Sequence, residues 1–175
     1  MDRRDLMIAW IYARDQNWLI GKDGGIPWES KRDMKHFKDT TYGSAVVMGR
    51  KTFDSLGCVP LKGRYNFVIT RDKDYSVPDG VTVLNDIAEI KNIKHSNIFI
   101  IGGAEIYKQT YNIIDKIYET VVMTWDNNGD AFMYKWKENG FDEWYCNSAK
   151  IEKEENIHIM FCEWERKSGF EQRKT

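Results

Sequence analysis

The chain has 175 residues, of which 42% are hydrophobic and 14% are aromatic, with 26 Lys and Arg side chains against 27 Asp and Glu. This length fits one domain, and the apolar content with only three prolines excludes intrinsic disorder and collagen-like repeats. The formal net charge of −1 supplies no basic field for a run of phosphates, so nucleic acid is not expected as the main partner.

Short apolar runs alternate along the chain with segments of helical character. The runs predicted as strands are Met7 to Ala13, Ala45 to Gly49, Asn66 to Thr70, Val81 to Leu84, Asn97 to Ile101 and Ile117 to Thr124. The segments predicted as helices are Lys31 to Thr41, Arg50 to Leu56, Asp86 to Asn92 and Ala104 to Asn112. Several strands are apolar on both faces, which is typical of a sheet covered by helices on both sides. The alternation predicts an α/β fold with a predominantly parallel central sheet.

The C-terminal third departs from this alternation. Trp144 to Glu152 and Ile157 to Arg166 flank a polar turn, Lys153 to Asn156, with no helix between them. This pattern predicts an antiparallel hairpin. No repeat or linker marks a boundary, so we expect a single domain over residues 1–175, with an extension at 1–6 and a tail at 168–175.

Neither the cysteines nor the apolar runs predict a disulfide, a metal site or a membrane span. Cys58, Cys146 and Cys162 are widely spaced and only three histidines accompany them, so we expect reduced thiols, mostly packing residues, and no metal. The apolar run at Ile98 to Ala104 is far below the roughly 18–20 residues that span a bilayer. The charged start of the chain does not resemble a secretory signal, so the expected location is the cytoplasm.

One acidic residue lies on the apolar face of a predicted helix. At helical spacing Asp33 shares its face with Met34, Phe37 and Thr41, while the lysines of the segment lie on the opposite arc. A carboxylate placed there is costly unless a ligand with two N–H donors satisfies it. Ser30 with Asp33 is also a capping-box signature, and periodicity alone favours that simpler interpretation.

The segment just before this helix is a glycine-containing loop that ends in an aromatic residue. It runs from Leu19 to Trp28 and contains Gly21, Gly24 and Gly25. A loop of this kind is able to close over a ligand beside Asp33, as lids do. An ordinary surface connection whose tryptophan packs on the fold is the alternative interpretation.

Two strand-to-helix turns have features of anion-binding sites. After the strand ending at Gly49, the next helix begins with Arg50, Lys51 and Thr52, and unpaired N–H groups at a helix start favour a phosphate. Thr70 and Arg71 follow the next strand and offer a second cationic contact. Exposed cations are common on protein surfaces, so a solvated helix start is an equal alternative.

The second turn follows the strand at Ile98 to Ile101. Gly102 and Gly103 let the backbone approach a diphosphate closely, although a tight turn that needs glycine explains them equally well. Together with the inward acid, the two turns predict a nucleotide cofactor beside a small nitrogenous substrate. The three histidines lie in segments without partner motifs, which disfavours nucleophilic catalysis.

The motifs described above occur in a specific order and spacing that extends over nearly the whole chain. In this pattern the chain resembles the dihydrofolate reductases of the bacterial and phage kind. The resemblance rests on Ile8 to Ala13, Ile20-Gly21, Gly25-Ile26-Pro27-Trp28, Asp33, Phe37-Lys38, Thr41, Val47 to Gly57, Leu61 to Arg64, Ile100 to Tyr107 and Gly129-Asp130.

The resemblance implies an NADPH-dependent reductase that delivers hydride to C6 of 7,8-dihydrofolate while N5 gains a proton. Asp33 would orient the pterin through its 2-amino group and N3 and favour the protonated substrate, with Trp28 and Thr120 in support, while the proton reaches N5 through solvent. Arg64 would bind the glutamate α-carboxylate as a fork. The walls of the substrate pocket would be Ile11, Met34, Phe37, Leu56 and Ile101.

The implied cofactor is NADPH and the implied partner is the small-molecule substrate dihydrofolate. From composition we expect neither nucleic acid nor a membrane as a partner, and a monomer is the default expectation. Arg50, Thr70 and Arg71 would surround the 2′-phosphate, and Thr52 would hold the diphosphate beside a cis Gly102-Gly103 bond. The full set of implied cofactor contacts is Ala13, Leu19, Ile20, Gly21, Gly24, Gly25, Gly49, Arg50, Lys51, Thr52, Thr70, Arg71, Ile101, Gly102, Gly103, Ala104, Glu105, Ile106 and Tyr107.

The sequence departs from the family pattern in a few places. The segment Cys58-Val59-Pro60 is one residue longer than the usual bacterial turn, and Glu105 stands where some relatives have a cation. Two alternatives remain open from the sequence: a related reductase of another pterin or pyrimidine, and a nucleotide-binding structural protein that kept the pocket. Asp33 with Arg64 favours a pterin that carries a glutamate tail.

Overall fold

The fold is built around one eight-stranded sheet. In this computed structural model, which describes residues 6–126 and 128–169, the strand order is β5-β4-β3-β6-β1-β7-β10-β9. The first six strands in this order pair in parallel, and β10 and β9 join antiparallel. The predicted fold class is confirmed. Most of the expected 1–6 extension and 168–175 tail lies outside the described residues.

The strands of the main sheet are close to their predicted positions. They are β1 (Met7–Arg14), β3 (Ala45–Gly49), β4 (Tyr65–Ile69), β5 (Val81–Leu84), β6 (Asn97–Gly102), β7 (Lys116–Val122), β9 (Trp144–Glu154) and β10 (Ile157–Arg166). β1 and β3 are buried along almost their whole length, as continuous apolar sequence predicts for strands covered on both faces.

In the part of the chain that the structure describes, four α-helices and three 3-10 helices connect the strands. The α-helices are α1 (Lys31–Thr41), α2 (Arg50–Ser55), α3 (Ala104–Thr110) and α4 (Trp136–Gly140), and the 3-10 helices are Ile87–Asn92, Tyr111–Ile113 and Phe141–Glu143. The segment at 87–92, predicted as an ordinary helix, is a 3-10 turn that Asp86 and Glu89 close as a capping box. None of the helices within residues 6–126 and 128–169 has the length and apolar character needed to cross a bilayer.

The two faces of the sheet carry separate apolar clusters. Phe53 of α2 and the half-buried Phe37 of α1 pack on one face with Ile11. Ile106 of α3 and Trp136 of α4 pack on the other, around Trp10 of β1. Helices therefore cover both faces and leave the carboxyl edge of the parallel strands for a site.

The C-terminal hairpin is longer than predicted. β9 continues through Lys153 and Glu154, so the turn shrinks to Glu155 and Asn156, with Glu155 at a φ of 51°. The predicted four-residue polar turn was wrong because exposed edge strands carry polar residues that look like loop in sequence. β9 is exposed along most of its length.

The predicted loop from Leu19 is partly ordered as strand. β2 (Leu19–Gly21) pairs with β8 (Ala131–Phe132) in a small second sheet. Lys22 and Gly25 then exchange two backbone hydrogen bonds of 2.9 Å around Asp23 and Gly24, both at positive φ. That geometry is a two-residue hairpin turn, which favours residues that tolerate left-handed backbone.

The cysteines are only partly as predicted. All three are free, and Cys162 is buried in the fold. Cys58 and Cys146 are exposed, so the packing role expected for most of the thiols applies to Cys162 alone.

Candidate active site

The carboxyl ends of the parallel strands bring the predicted site segments to one edge. β3 lies between β4 and β6, so the turns after these strands are neighbours. β1 and β7 follow next in the sheet and carry Ile11 and Thr120 to the same end. Segments far apart in sequence thereby meet along one edge.

Asp33 lies in the first turn of α1 and is buried, with 8% of its surface exposed. The backbone N–H of Asp33 donates to Ser30 Oγ at 3.0 Å, while its carboxyl group accepts a hydrogen bond from Thr120 of β7. The Ser30 cap and the inward acid are therefore both present.

The environment of Asp33 favours retention of its proton. Burial raises the pKa of Asp33 above its ordinary value, and the charge of Glu154 acts in the same direction. The Thr120 hydrogen bond and the nearby His36 lower it, without offsetting burial. A buried acid with a raised pKa is typical of a functional carboxyl group.

Trp28 presents an unused donor. Its ring is half-buried, and the indole Nε1 is buried with no hydrogen-bond partner within the described part of the chain. Buried donors are normally satisfied, so this N–H points to a ligand-binding function.

A groove of about 600 Å³ runs along α1. It is lined by Met34, Lys35, Phe37, Lys38, Asp39, Leu61 and Arg64. Met34 is 56% exposed, so the prediction that it points inward with Asp33 was wrong: it lies on the groove rather than in the core. Leu56 is also largely exposed, while Ile11, Phe37 and Ile101 share one apolar cluster.

Arg64 is anchored at the end of this groove. Its guanidinium donates to Thr41 Oγ1 at 3.1 Å, to Lys62 O at 2.8 Å and to Lys38 O at 3.2 Å. Partial burial lowers the pKa of Arg64, but a guanidinium stays charged at neutral pH. Each terminal nitrogen uses one N–H, which leaves one on each for a planar anion.

The two glycine turns lie against each other. Gly102-Gly103 is a cis peptide bond, as the resemblance implied, and Gly102 has a φ of 134°. A Cβ on Gly103 would lie 3.3 Å from Thr52 Oγ1, and one on Gly102 would lie 3.4 Å from it. Glycine at both positions thus keeps an open space beside the Thr52 hydroxyl.

The segments after β3 and β4 carry three exposed cations. Arg50 is exposed and pairs with Asp72 at 3.2 Å, and Lys51 and Arg71 are exposed. Thr70 is buried, and its hydroxyl accepts from the Asp72 backbone N–H at 3.2 Å. Glu105 is exposed in the first turn of α3.

Three predicted cofactor residues have side chains in the core instead. Leu19 is fully buried, Ile106 packs against Gly49, and the Tyr107 hydroxyl donates to Ile11 O at 2.8 Å. The remaining positions, half-buried or exposed except for Gly21, lie along the same segments: Ala13, Ile20, Gly21, Gly24, Gly25 and Ala104.

The structure adds contacts that the sequence did not predict. Glu154 at the end of β9 contacts the start of α1 at Ser30, and His36 packs on Phe161 with ring centroids 4.7 Å apart. Asp130 Oδ2 accepts from the Asp23 backbone N–H at 3.0 Å, and Lys22 pairs with Asp126 at 3.4 Å. These contacts are long-range, so no local pattern announces them.

The described residues contain no cluster of side chains suited to bind a metal ion. Within the described ranges, 6–126 and 128–169, no three His, Cys, Asp or Glu side chains are grouped to hold an ion.

Comparison with known proteins gives one family. A family model described as dihydrofolate reductase matches residues 7–166. The dihydrofolate reductase of Staphylococcus aureus is 32% identical over 165 residues, 93% of this chain and 99% of that protein. The enzyme of Bacillus subtilis is 40% identical over 118 residues, 66% of this chain and 69% of the relative.

A solved structure supports the same family assignment. The dihydrofolate reductase of Enterococcus faecalis, complexed with NADP(H) and RAB-propyl, superimposes with a TM-score of 0.83 at 29% identity. The match covers 93% of this chain and 97% of that one. Because the family model matches residues 7–166 and the Staphylococcus aureus relative covers 93% of the chain at 32% identity, the chain belongs to the dihydrofolate reductase family of oxidoreductase enzymes.

Proposed function

We propose that the chain catalyses the NADPH-dependent reduction of 7,8-dihydrofolate to 5,6,7,8-tetrahydrofolate. The observation that carries this proposal is the buried Asp33 carboxyl group, which is hydrogen-bonded to Thr120 and precedes Met34, a residue that lines the groove along α1. Arg64 lines that groove, and the glycine turns follow the neighbouring strands β3 and β6 of the sheet.

Asp33 binds and orients the pterin ring. Two carboxylate oxygens match the paired N–H donors of the 2-amino group and N3, and a charge-assisted pair in a buried place is directional. Thr120 holds the carboxyl group from β7, and the unpartnered Trp28 Nε1 offers a donor, directly or through water.

Asp33 also favours the protonated form of the substrate. As an anion it stabilises positive charge on the bound pterin, which prepares N5 for the proton that the reduction requires. Burial raises the pKa of Asp33, so the carboxyl group and the bound pterin titrate as a coupled pair. We assign Asp33 an electrostatic and orienting role, with the proton reaching N5 from solvent.

The remainder of the substrate lies along α1. Ile11, Phe37 and Ile101 form the apolar wall, with Met34 and Leu56 at the rim. The two free N–H groups of Arg64 suit the α-carboxylate of the glutamate tail, which binds as a two-point pair.

The residues at the glycine turns fit a dinucleotide. A Cβ at Gly102 or Gly103 would narrow the space beside Thr52, and the N-terminus of α3 opens onto it. Thr52 and the Gly102 to Glu105 turn would hold the diphosphate, and Arg50, Thr70 and Arg71 would take the 2′-phosphate. NADPH supplies hydride for C6 of the substrate when bound. The Enterococcus faecalis relative was solved with NADP(H).

Turnover of purified protein tests this function. NADPH oxidation is followed by absorbance with 7,8-dihydrofolate, with NADH in a parallel reaction and Asp33→Asn as the matched variant. We expect rapid turnover with NADPH, slower turnover with NADH, and a large loss in the variant. Tight NADPH binding without dihydrofolate reduction by the wild type would refute the proposal.

A further inference from the structure

The first turn of α1 carries Asp33, and its backbone donors are all satisfied in an unusual way. The N–H groups of Lys31 and Arg32 donate to the Glu154 carboxylate at 3.0 and 3.4 Å. The N–H of Asp33 donates to Ser30 Oγ, and that of Met34 to Ser30 O at 3.1 Å. The N–H groups of Lys31, Arg32 and Asp33, which have no acceptor within the helix, thus all have partners, and the Met34 N–H makes the first bond within the helix.

Glu154 reaches these groups from the far end of the sequence. It ends β9, and the tight turn at Glu155 and Asn156 holds the strand end in place. The Ser30 hydroxyl both donates to Glu154 Oε2 and accepts from the Asp33 N–H, so one continuous chain of hydrogen bonds joins the hairpin to Asp33. Glu152, two residues earlier, pairs with Arg32 and adds a second contact.

The charge of Glu154 suits this position. Hydrogen bonds from Ser30 and from the Arg32 and Lys31 backbone lower the pKa of Glu154, so the group is a carboxylate at neutral pH. An anion at a helix N-terminus is favourable because the helix dipole is positive there. A helix start is otherwise the part that frays first, and Asp33 lies within it.

We propose that Glu154 is a positioning residue for Asp33: the hairpin tip fixes the first turn of α1 and so the location of the carboxyl group that binds the pterin. The proposal rests on the proposed reductase function for its catalytic consequence. Its structural part, the capping of α1 by Glu154, is independent of that function.

Glu154 also contributes to the electrostatics at Asp33. The groups that act on Asp33 are Thr120 on β7, His36 on α1 and Glu154 on β9, and Glu154 acts in the direction of proton retention. His36 in turn faces Asp39 on its own helix, Glu163 on β10 and Glu152 on β9. Removal of the Glu154 charge should therefore lower the apparent pKa that the Asp33–substrate pair shows in the pH–rate profile.

Two variants separate geometry from charge. Glu154→Ala removes both the hydrogen-bond acceptor and the charge, whereas Glu154→Gln removes the charge and keeps an acceptor for the Ser30 hydroxyl. Glu155→Gln, one residue further in the exposed turn, is the control for loss of one negative charge. Amide hydrogen exchange at Lys31 and Arg32, kcat/KM for dihydrofolate, and the pH–rate profile are measured on the full chain.

We expect Glu154→Ala to speed exchange at Lys31 and Arg32 by about five- to tenfold and to lower kcat/KM by about three- to tenfold. Glu154→Gln should recover most of kcat/KM, while both variants lower the apparent pKa. Glu155→Gln should match the wild type in all three measurements.

The results that would refute the role of Glu154 differ from those that would refute the proposed reductase function. Wild-type exchange and kinetics in Glu154→Ala would overturn it, and so would equal kinetic defects in the Ala and Gln variants with an unchanged pH profile. If the wild type does not reduce dihydrofolate, the proposed function fails by itself. Exchange at Lys31 and Arg32, and the titration of Asp33 followed by carboxyl carbon NMR, then still decide whether Glu154 holds this turn.

Discussion

Replacing Glu119 by alanine should destabilise the fold by about 3–5 kcal/mol. The Glu119 side chain is completely buried in β7. It accepts hydrogen bonds from Arg14 Nε and Lys137 Nζ, each at 2.7 Å, from Trp164 Nε1 at 3.0 Å and from Tyr12 Oη at 3.3 Å. Truncation leaves the Arg14 charge, with only 9% of its side chain exposed, without a counter-charge in the interior.

A surface ion pair provides the matched comparison. Lys135 and Glu138 pair at 3.3 Å with side chains 49% and 62% exposed, so Glu138→Ala should cost less than about 1 kcal/mol. Urea denaturation followed by tryptophan fluorescence measures both free energies of unfolding. A loss below about 1 kcal/mol for Glu119→Ala would refute the argument that its partners depend on it.

The stability that Glu119 and its buried partners provide should depend on pH with a definite sign. Burial raises the pKa of Glu119, but the charges of Arg14 and Lys137 more than offset it, so the pKa lies below the ordinary value. The stabilisation is therefore complete above the pKa of the unfolded chain, and it is lost as the pH falls through the lower, folded value. The stability difference between wild type and Glu119→Gln should narrow below about pH 4.

Three further substitutions test the site. Asp33→Asn should lower turnover by at least about a hundredfold at neutral pH. Because burial raises the pKa of Asp33, ionisation of this carboxyl group destabilises the folded protein. The variant, which has no charge at this position, should therefore have a Tm no lower than that of the wild type. Arg64→Leu should raise KM for dihydrofolate and leave the Kd of NADPH unchanged; equal losses for both ligands would remove Arg64 from the substrate site. Arg50→Ala should reduce the preference for NADPH over NADH in kcat/KM, and an unchanged ratio would exclude Arg50 from recognition of the 2′-phosphate.

Continuous apolar runs and helical spacing were sufficient to predict most of the strands and helices. The bounds of β3, β5 and α1 agree with the predicted ones, because each segment has one dominant period. β2 and β8 were not predicted, since strands of three and two residues are too short to show alternation. α4 was missed for the same reason, although its Trp136 is fully buried.

The site was predictable where a motif is local and not where it depends on long-range contacts. The cis bond at Gly102-Gly103 and the buried Asp33 lie in short, recognisable segments. Met34 was placed inward because helical periodicity gives the face of a side chain without showing whether a neighbour covers that face. Glu119 and Glu154 look like ordinary surface acids until the sheet brings their partners to them.

The position of β6 in the sheet has a consequence for how the chain folds during synthesis. Strands β3, β4 and β5 are neighbours in space and are made close together, whereas β1 is made first and pairs only with β6 and β7. Met7 pairs with Asn97 and Ala9 with Lys116, so the central strand has no sheet neighbour until the ribosome has passed these residues. Such non-local pairing slows folding.

β6 is thus the strand that joins two halves of the sheet. On one side it pairs with β3, and on the other with β1. A growing chain that ends before residue 97 holds the apolar β1 exposed, which makes it prone to aggregate and a substrate for chaperones. Since Thr120 is part of β7, the hydrogen-bond partner of the Asp33 carboxyl group is synthesised after both glycine turns, and the surroundings of Asp33 are completed late.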